Sequence, residues 1–149
     1  MTQAAGGLRL HGGVVAMPVS AGWRGLLITG PSGSGKSALA LQLMALGARL
    51  VADDQVLIQR RGDRLFATGP DATRGLIEAR GIGLLRADPL PEVPLAASVD
   101  LGQRETERLP PPRIVMYLDV GLPLFHAVHA PYFHAALAQY LCAGLDQGN

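Results

Sequence analysis

The segment Gly30-Pro31-Ser32-Gly33-Ser34-Gly35-Lys36-Ser37 satisfies the pattern G-x-x-x-x-G-K-[S/T], and no other stretch restricts the folding of this chain so tightly. The glycines let the backbone turn inward and approach phosphate oxygens where a side chain would collide. A backbone turned in this way aims several N–H groups at one anion. A helix opening at Lys36 adds its positive dipole end to that field. Lys36 is expected to reach the β and γ phosphates as a point charge, and Ser37 to place a hydroxyl on magnesium. Lys36 is also the only lysine; every other cationic side chain is arginine or histidine.

The flanking sequence supplies the context this loop requires. Residues 24–29 read as a short buried strand. Residues 36–46 read as a helix with Leu39, Leu43 and Leu46 on one face, closed by Gly47 in a left-handed cap. Residues 49–52 form a second strand, stopped by Asp53-Asp54. Strand, loop, helix and strand predict a right-handed βαβ unit. The expected fold is therefore α/β: a P-loop (Walker A) domain with a mostly parallel sheet, flanking antiparallel strands and few helices.

The remaining chain is less regular. Residues 8–19 read as one or two strands before a turn near Ser20. Residues 55–60 and 65–67 read as a hairpin across 61–64. Residues 71–86 follow no clear pattern, and Pro89, Pro91 and Pro94 mark a loop. Residues 95–101 and 113–120 are strand candidates separated by Pro110-Pro111-Pro112. Residues 131–145 predict a helix with an apolar stripe of Phe133, Leu137, Tyr140, Leu141 and Leu145. Residues 1–7 are small and polar and are expected to fray. No repeat or linker divides the chain, so one domain over 1–149 is expected.

Composition narrows the function classes. With 48% apolar and 17% charged residues, the 149-residue chain is of globular type. A formal net charge of +1 and no clustered basic residues argue against a nucleic-acid partner. Residues 120–145 lack formal charge but are interrupted by His126, His129, Pro131, His134 and Gln139, so no membrane span is read there. No secretory signal opens the sequence, and the single Cys142, read as a small buried apolar residue, suits a reducing compartment; a cytoplasmic location is expected.

A phosphate loop needs a carboxylate near the metal or the nucleophile. Asp53 and Asp54 stand at the carboxyl end of the next strand, where ligands of open α/β sheets bind, so one or both lie beside the phosphates. Glu78 and Arg80, in Leu76-Ile77-Glu78-Ala79-Arg80-Gly81, would point the same way on a strand and could hold a metal and a phosphate together. Asp119 ends the apolar run Ile114-Val115-Met116-Tyr117-Leu118 and fits a Walker B pattern, but it lies late in the chain and ranks behind Asp53-Asp54. His126, His129 and His134 are joined by no cysteine or carboxylate and are not read as a metal site.

Three features together resemble the kinase domain of HPr kinase/phosphorylase. They are His11-Gly12 ahead of the loop strand, Arg49-Leu50-Val51-Ala52-Asp53-Asp54-Gln55-Val56 after the helix, and Leu76-Ile77-Glu78-Ala79-Arg80-Gly81-Ile82-Gly83. The likeness covers residues 8–86, and the interval from Lys36 to Asp54 agrees with the family. It implies a cytoplasmic Mg-ATP-dependent serine kinase acting on HPr, the small phosphocarrier protein of the phosphotransferase system. On that resemblance Lys36 and the loop bind ATP, and Ser37 and Glu78 ligate Mg2+. Asp54 orients the acceptor hydroxyl, takes its proton and returns one in the reverse, phosphorylase reaction. His11 sits beside the active site, Arg80 contacts phosphate, and the assembly is a homohexamer.

The likeness is to the short form without an N-terminal domain, found in some alphaproteobacteria. A basic Pro-x-Arg-Pro-Gly-Arg loop of the family is not recognisable; residues 120–135 stand in its place, with three histidines and no arginine. Two other readings of the motifs stay open: a small-molecule or nucleotide kinase, and an ATP-binding regulatory module without turnover. Residues 122–145 are apolar and free of formal charge, and their large side chains, Phe125, Tyr132, Phe133 and Tyr140 among them, suggest a contact with another chain that charging Phe133 or Tyr140 would disrupt.

Overall fold

The computed structural model describes residues 2–4 and 6–146. In chain order the elements are β1 (Thr2–Ala4), β2 (Gly7–His11), β3 (Gly13–Val19), β4 (Gly22–Thr29), α1 (Lys36–Met44), β5 (Arg49–Ala52), β6 (Gln55–Arg61) and β7 (Arg64–Thr68). A 3-10 turn over Asp71–Thr73 precedes β8 (Leu76–Ala79), β9 (Gly83–Arg86), β10 (Glu92–Arg104), β11 (Ile114–Tyr117), β12 (Val120–Ala127) and α2 (Phe133–Ala143).

Ten strands join in the order β1-β2-β6-β7-β10-β4-β3-β5, with β12 on β10 and β11 on β12; β8 and β9 form a separate hairpin. Strand β10 is shared. Its first residues pair antiparallel with β7, while residues from Leu95 onward run parallel to β4 and those from Ser98 parallel to β12. The sheet thus divides into two leaves. Val14, Leu27, Val56, Ile58, Leu65 and Val93 fill the space between them. On the other face of the β4 leaf, Val15, Leu26, Ile28 and Val99 pack against Leu39 and Leu43 of α1 and Leu137 and Leu141 of α2. Residues 25–28 are all buried because both faces of β4 are covered, which is why that strand reads as an unbroken apolar run.

An α/β architecture with a sheet-dominated core is present, but the expected mostly parallel sheet is not. Among named strands only β10–β4 and β10–β12 pair in parallel. Strand β3 lies between β4 and β5 and is antiparallel to both, so the crossover through α1 lands one strand further over. Short connections at 20–21, 62–63 and 118–119 are hairpins, and such links can join only antiparallel strands.

Several local expectations change. Thr2–Ala4 pair with Gly7–Arg9, so the described part of the N-terminus is paired where fraying was expected. Pro94 lies inside β10, where the strand passes from β7 to β4 and a missing donor is tolerated. Residues 113–120 are not one strand. Leu118 (φ 51) and Asp119 (φ 63) form a left-handed tip between β11 and β12. Holding a leucine there costs roughly 1–2 kcal/mol. The side chain packs against the inter-leaf core, and burying a leucine returns up to about 1.5–3 kcal/mol.

Cys142 is exposed rather than buried. Leu46 and Leu145 are exposed, so each lies beyond the apolar stripe expected to include it. Phe133 and Tyr140 pack against the helix-side core of their own chain, with Phe125 edge-on to Tyr140 at 4.7 Å between ring centres. Both are half-buried, and Tyr132 of the same segment is exposed. No helix among the described residues is long and apolar enough to cross a membrane.

The loop from β10 to β11 is closed by Glu105 and Arg113. Glu105 Oε2 accepts from Arg113 Nη2 at 3.0 Å and from the N–H groups of Thr106 and Glu107, and its side chain is only 7% exposed. The Arg113 hydrogen bonds, helped by the backbone donors, pull the Glu105 carboxyl down to about 2. A carboxyl whose folded value is depressed stabilises fully above its unfolded value, and that stabilisation is lost as pH falls toward the folded one. Urea unfolding should therefore show this contribution constant above about pH 5 and shrinking from about pH 4.5 toward pH 2. Glu105→Gln should lower stability at pH 7 and flatten the acid limb; an unchanged acid limb would show that this clamp contributes nothing.

Candidate active site

Strand β4 ends at Thr29 and delivers the chain into the loop. Gly30 (φ 146), Gly33 (φ 81) and Gly35 (φ 99) take backbone conformations that L side chains rarely adopt. At Gly30 the space is closed as well, since an added Cβ would lie 2.5 Å from Ser34 Oγ. Helix α1 begins at Lys36 with no side-chain cap and no acid in its first turn. Its leading N–H groups and dipole thus face the concave side of the loop, which suits an anion. Lys36 Nζ donates to the carbonyls of Gly30 at 2.9 Å and Pro31 at 3.0 Å, folding the ammonium over the loop entrance.

Ser37 Oγ donates to Asp53 Oδ1 at 2.8 Å, and Asp53 Oδ2 accepts from the Glu78 N–H at 3.4 Å. One carboxylate thereby links the first turn of α1, the end of β5 and the start of the β8–β9 hairpin. Among the described residues no three His, Cys, Asp or Glu side chains group closely enough to hold a metal alone. Magnesium usually takes one or two carboxylates, keeps waters and shares phosphate oxygens. Ser37, Asp53 and the exposed Glu78 are hard oxygen donors of that kind.

The next residue turns the other way. Asp54 has φ 77, a conformation aspartate tolerates better than most residues. Its carbonyl accepts from the Gly12 N–H at 3.0 Å, and its Oδ1 lies 3.1 Å from His11 Nδ1. The side chains of His11 and Asp54 are 48% and 68% exposed. A pair so open to water adds little stability, but a bulky partner can reach it. Next to it, on β2, β6 and the end of β7, lies a groove of about 380 Å³ lined by Arg9, Gln55, Leu57, Thr68, Gly69 and Pro70 among others.

Arg80 does not share a strand face with Glu78. Strand β8 stops at Ala79, and Arg80 sits in the turn before Gly81 (φ 88). Asp119 stands in the β11–β12 tip, whose Leu118 carbonyl accepts from Arg60 at 3.0 Å. Arg60 lies five residues along β6 from Gln55, roughly 17 Å at about 3.4 Å per residue, so this tip is tied to the end of that strand away from Asp54. His126 lies in β12, His129 follows that strand, and His134 lies on α2.

One carboxylate beside the loop escaped the sequence reading. Asp100 on β10 stands in register with Thr29, the residue before Gly30. Residues 95–99, apolar apart from Ser98, end in Asp100 and carry much the same strand-then-acid signal that drew attention to Asp119. Only the pairing of β10 with β4 tells the two apart.

A family model described as HPr Serine kinase C-terminal domain matches residues 3–90, more than half of the chain. The HPr kinase/phosphorylase of Mycoplasmopsis pulmonis is 48% identical over 61 residues, 41% of this chain and 20% of that protein. That of Clostridium botulinum strain Eklund 17B is 47% identical over 77 residues, 52% of this chain and 24% of that protein. That of Lachnoclostridium phytofermentans is 53% identical over 62 residues, covering 41% and 20%. The chain thus matches about a fifth to a quarter of the length of these curated relatives. The solved HPr(Ser) kinase/phosphatase of Coxiella burnetii has the same fold, with a TM-score of 0.71 at 21% identity over 89% of this chain and 92% of that one. Glycine-rich loop, paired aspartates and the Glu78 hairpin all fall inside the matched span, and the chain belongs to the HPr Serine kinase C-terminal domain family.

Proposed function

We propose that this chain is a Mg-ATP-dependent serine kinase domain whose acceptor is HPr, with the reverse phosphorylase reaction using the same residues. The observation that carries the reading is the opposite facing of two adjacent aspartates. Asp53 is bonded to Ser37 on the phosphate side, and Asp54 is held beside His11 on the open side. The family to which the chain belongs and the names of its relatives support HPr as the acceptor.

The loop from Gly30 to Ser37 would cradle the ATP phosphates, and Lys36 would move from the loop carbonyls onto them. Ser37, Asp53 and Glu78 would hold magnesium, which when bound neutralises charge on the phosphate oxygens. Asp54 would act as the general base. It would take the proton of the acceptor serine as the serine oxygen bonds to the γ phosphorus and the bond to ADP breaks. His11 would orient the Asp54 carboxylate, and the exposed Arg80 would reach a phosphate oxygen. The whole chain would act as one cytoplasmic domain. The assembly implied by family likeness would be a homohexamer. Light scattering should give a mass several times the 15.6 kDa of one chain; a mass near one chain rejects the oligomer.

Incubation with ATP and purified HPr, followed by mass spectrometry, should show a phosphoserine on HPr. ATP consumption by a small-molecule acceptor without HPr modification would point to a different kinase. Asp54→Asn should reduce transfer by about 10²- to 10⁴-fold, the usual share of a positioned base, while Mg-ATP affinity by calorimetry stays within about twofold of wild type, about a third of the 1.4 kcal/mol that a tenfold change represents. Transfer at the wild-type rate in this variant would remove Asp54 from the chemistry. Lys36→Ala should weaken ATP binding about ten- to a hundred-fold, as expected for losing a charge-assisted contact, with an unchanged thermal melt. Undiminished ATP affinity would contradict the nucleotide site.

A further inference from the structure

The loop residues Gly30 and Pro31 are held from outside by a segment of β10 that no motif announces. Strand β10 runs parallel to β4 with Asp100 opposite Thr29. Thr29 Oγ1 donates to the Val99 carbonyl at 3.2 Å. Beyond this point Asp100 Oδ1 accepts from the Gly102 N–H at 2.8 Å, and the pairing of β10 with β12 loses its regular register between Asp100 and Arg104. The carboxylate thus bends the strand two residues after itself. The bent segment lies on the loop entrance: a Cβ at Gly102 would sit 3.0 Å from Pro31 Cδ, and a Cβ at Gly30 would sit 3.2 Å from Leu101 Cβ.

Residues 99–102 therefore touch three consecutive residues, Thr29, Gly30 and Pro31. The carbonyls of the last two are those that seat the Lys36 ammonium. A shift of these peptides would move the lysine and redirect the start of the phosphate loop together. On its other flank Asp100 stands in register with His126 of β12.

We propose that Asp100 is a positioning residue for nucleotide binding: its hydrogen bond to the Gly102 N–H braces the β10 bend against Gly30 and Pro31 and fixes the loop entrance. This rests on the reading of residues 30–37 as a nucleotide site. The bond needs an acceptor oxygen rather than a charge, so asparagine can replace aspartate and alanine cannot. Gly102→Ala tests the brace from its other side, because its methyl group would crowd both Pro31 Cδ at 3.0 Å and the Asp100 Oδ1 acceptor at 3.1 Å.

Calorimetric titration of the full chain with Mg-ATP should show Asp100→Ala and Gly102→Ala each binding roughly five- to twenty-fold more weakly, the scale of one hydrogen bond. Asp100→Asn should stay within about twofold of wild type, since a neutral acceptor of the same shape keeps the bond. Wild-type affinity in Asp100→Ala overturns the proposal. So does an Asp100→Asn as weak as the alanine variant, which would indicate a charge effect instead. If Asp100→Ala does not fold, Gly102→Ala decides alone, and wild-type affinity there overturns the brace. The measurement requires no turnover, so failure to phosphorylate HPr would count against the acceptor assignment and leave the brace standing.

Discussion

Strand β10 bonds to β7, β4 and β12 in turn, and this sharing holds the two leaves together. A strand can do this only if its partners diverge along its length. Its first three paired residues serve one leaf and the remainder the other. The consequence for chemistry is directional. Strands β4 and β10 are parallel, and β5 runs the same way with β3 between them, so their carboxyl ends gather at one edge of the molecule. The glycine-rich loop, Asp53-Asp54 and Asp100 all occupy that edge. The tip carrying Asp119 lies away from it.

Two adjacent residues at this edge do different work because the backbone reverses between them. In a regular strand Asp53 and Asp54 would already point to opposite faces. The left-handed conformation of Asp54 also turns its carbonyl to the Gly12 N–H, which fixes the whole residue against β2 and His11. Asp53 is drawn to the helix by Ser37 and to the hairpin by Glu78. One carboxylate is thereby engaged with the first turn of α1 and the hairpin, and the other remains open to solvent beside His11.

What could be read from the sequence was what local geometry dictates. The loop, helix α1, the strand before Asp53-Asp54 and the β6–β7 hairpin depend on glycine conformations, periodicity and turn chemistry, all of which are visible in short windows. The parallel sheet was a wrong inference because strand direction depends on which strands become neighbours, and the insertion of β3 beside β4 leaves no local trace. Strand β12 was hidden inside an uncharged stretch whose histidines and prolines obscured the alternation. The placement of Arg80 in a turn followed from Gly81, whose positive φ ends β8 one residue early. Asp100 and Asp119 share one local pattern, a largely apolar run ending in aspartate, and only the long-range pairing with β4 gives the first of them a place beside the loop.

The resting position of Lys36 bears on how strongly the loop can hold a nucleotide. Its ammonium already donates to two carbonyls near 3 Å, so it is not an unpaired charge waiting for phosphate. Binding exchanges these neutral acceptors for anionic ones. The net gain is the difference between two sets of hydrogen bonds, which is smaller than the strength of either. The same carbonyls belong to residues supported by Leu101 and Gly102. A firmly supported seat keeps the lysine ordered near its target and reduces the side-chain entropy lost on binding, which for a lysine is on the order of 2 kcal/mol. A looser seat would leave the charge in place but spread it over more conformers. On the proposed brace, nucleotide affinity at this loop would depend on the strand behind it as well as on the motif itself.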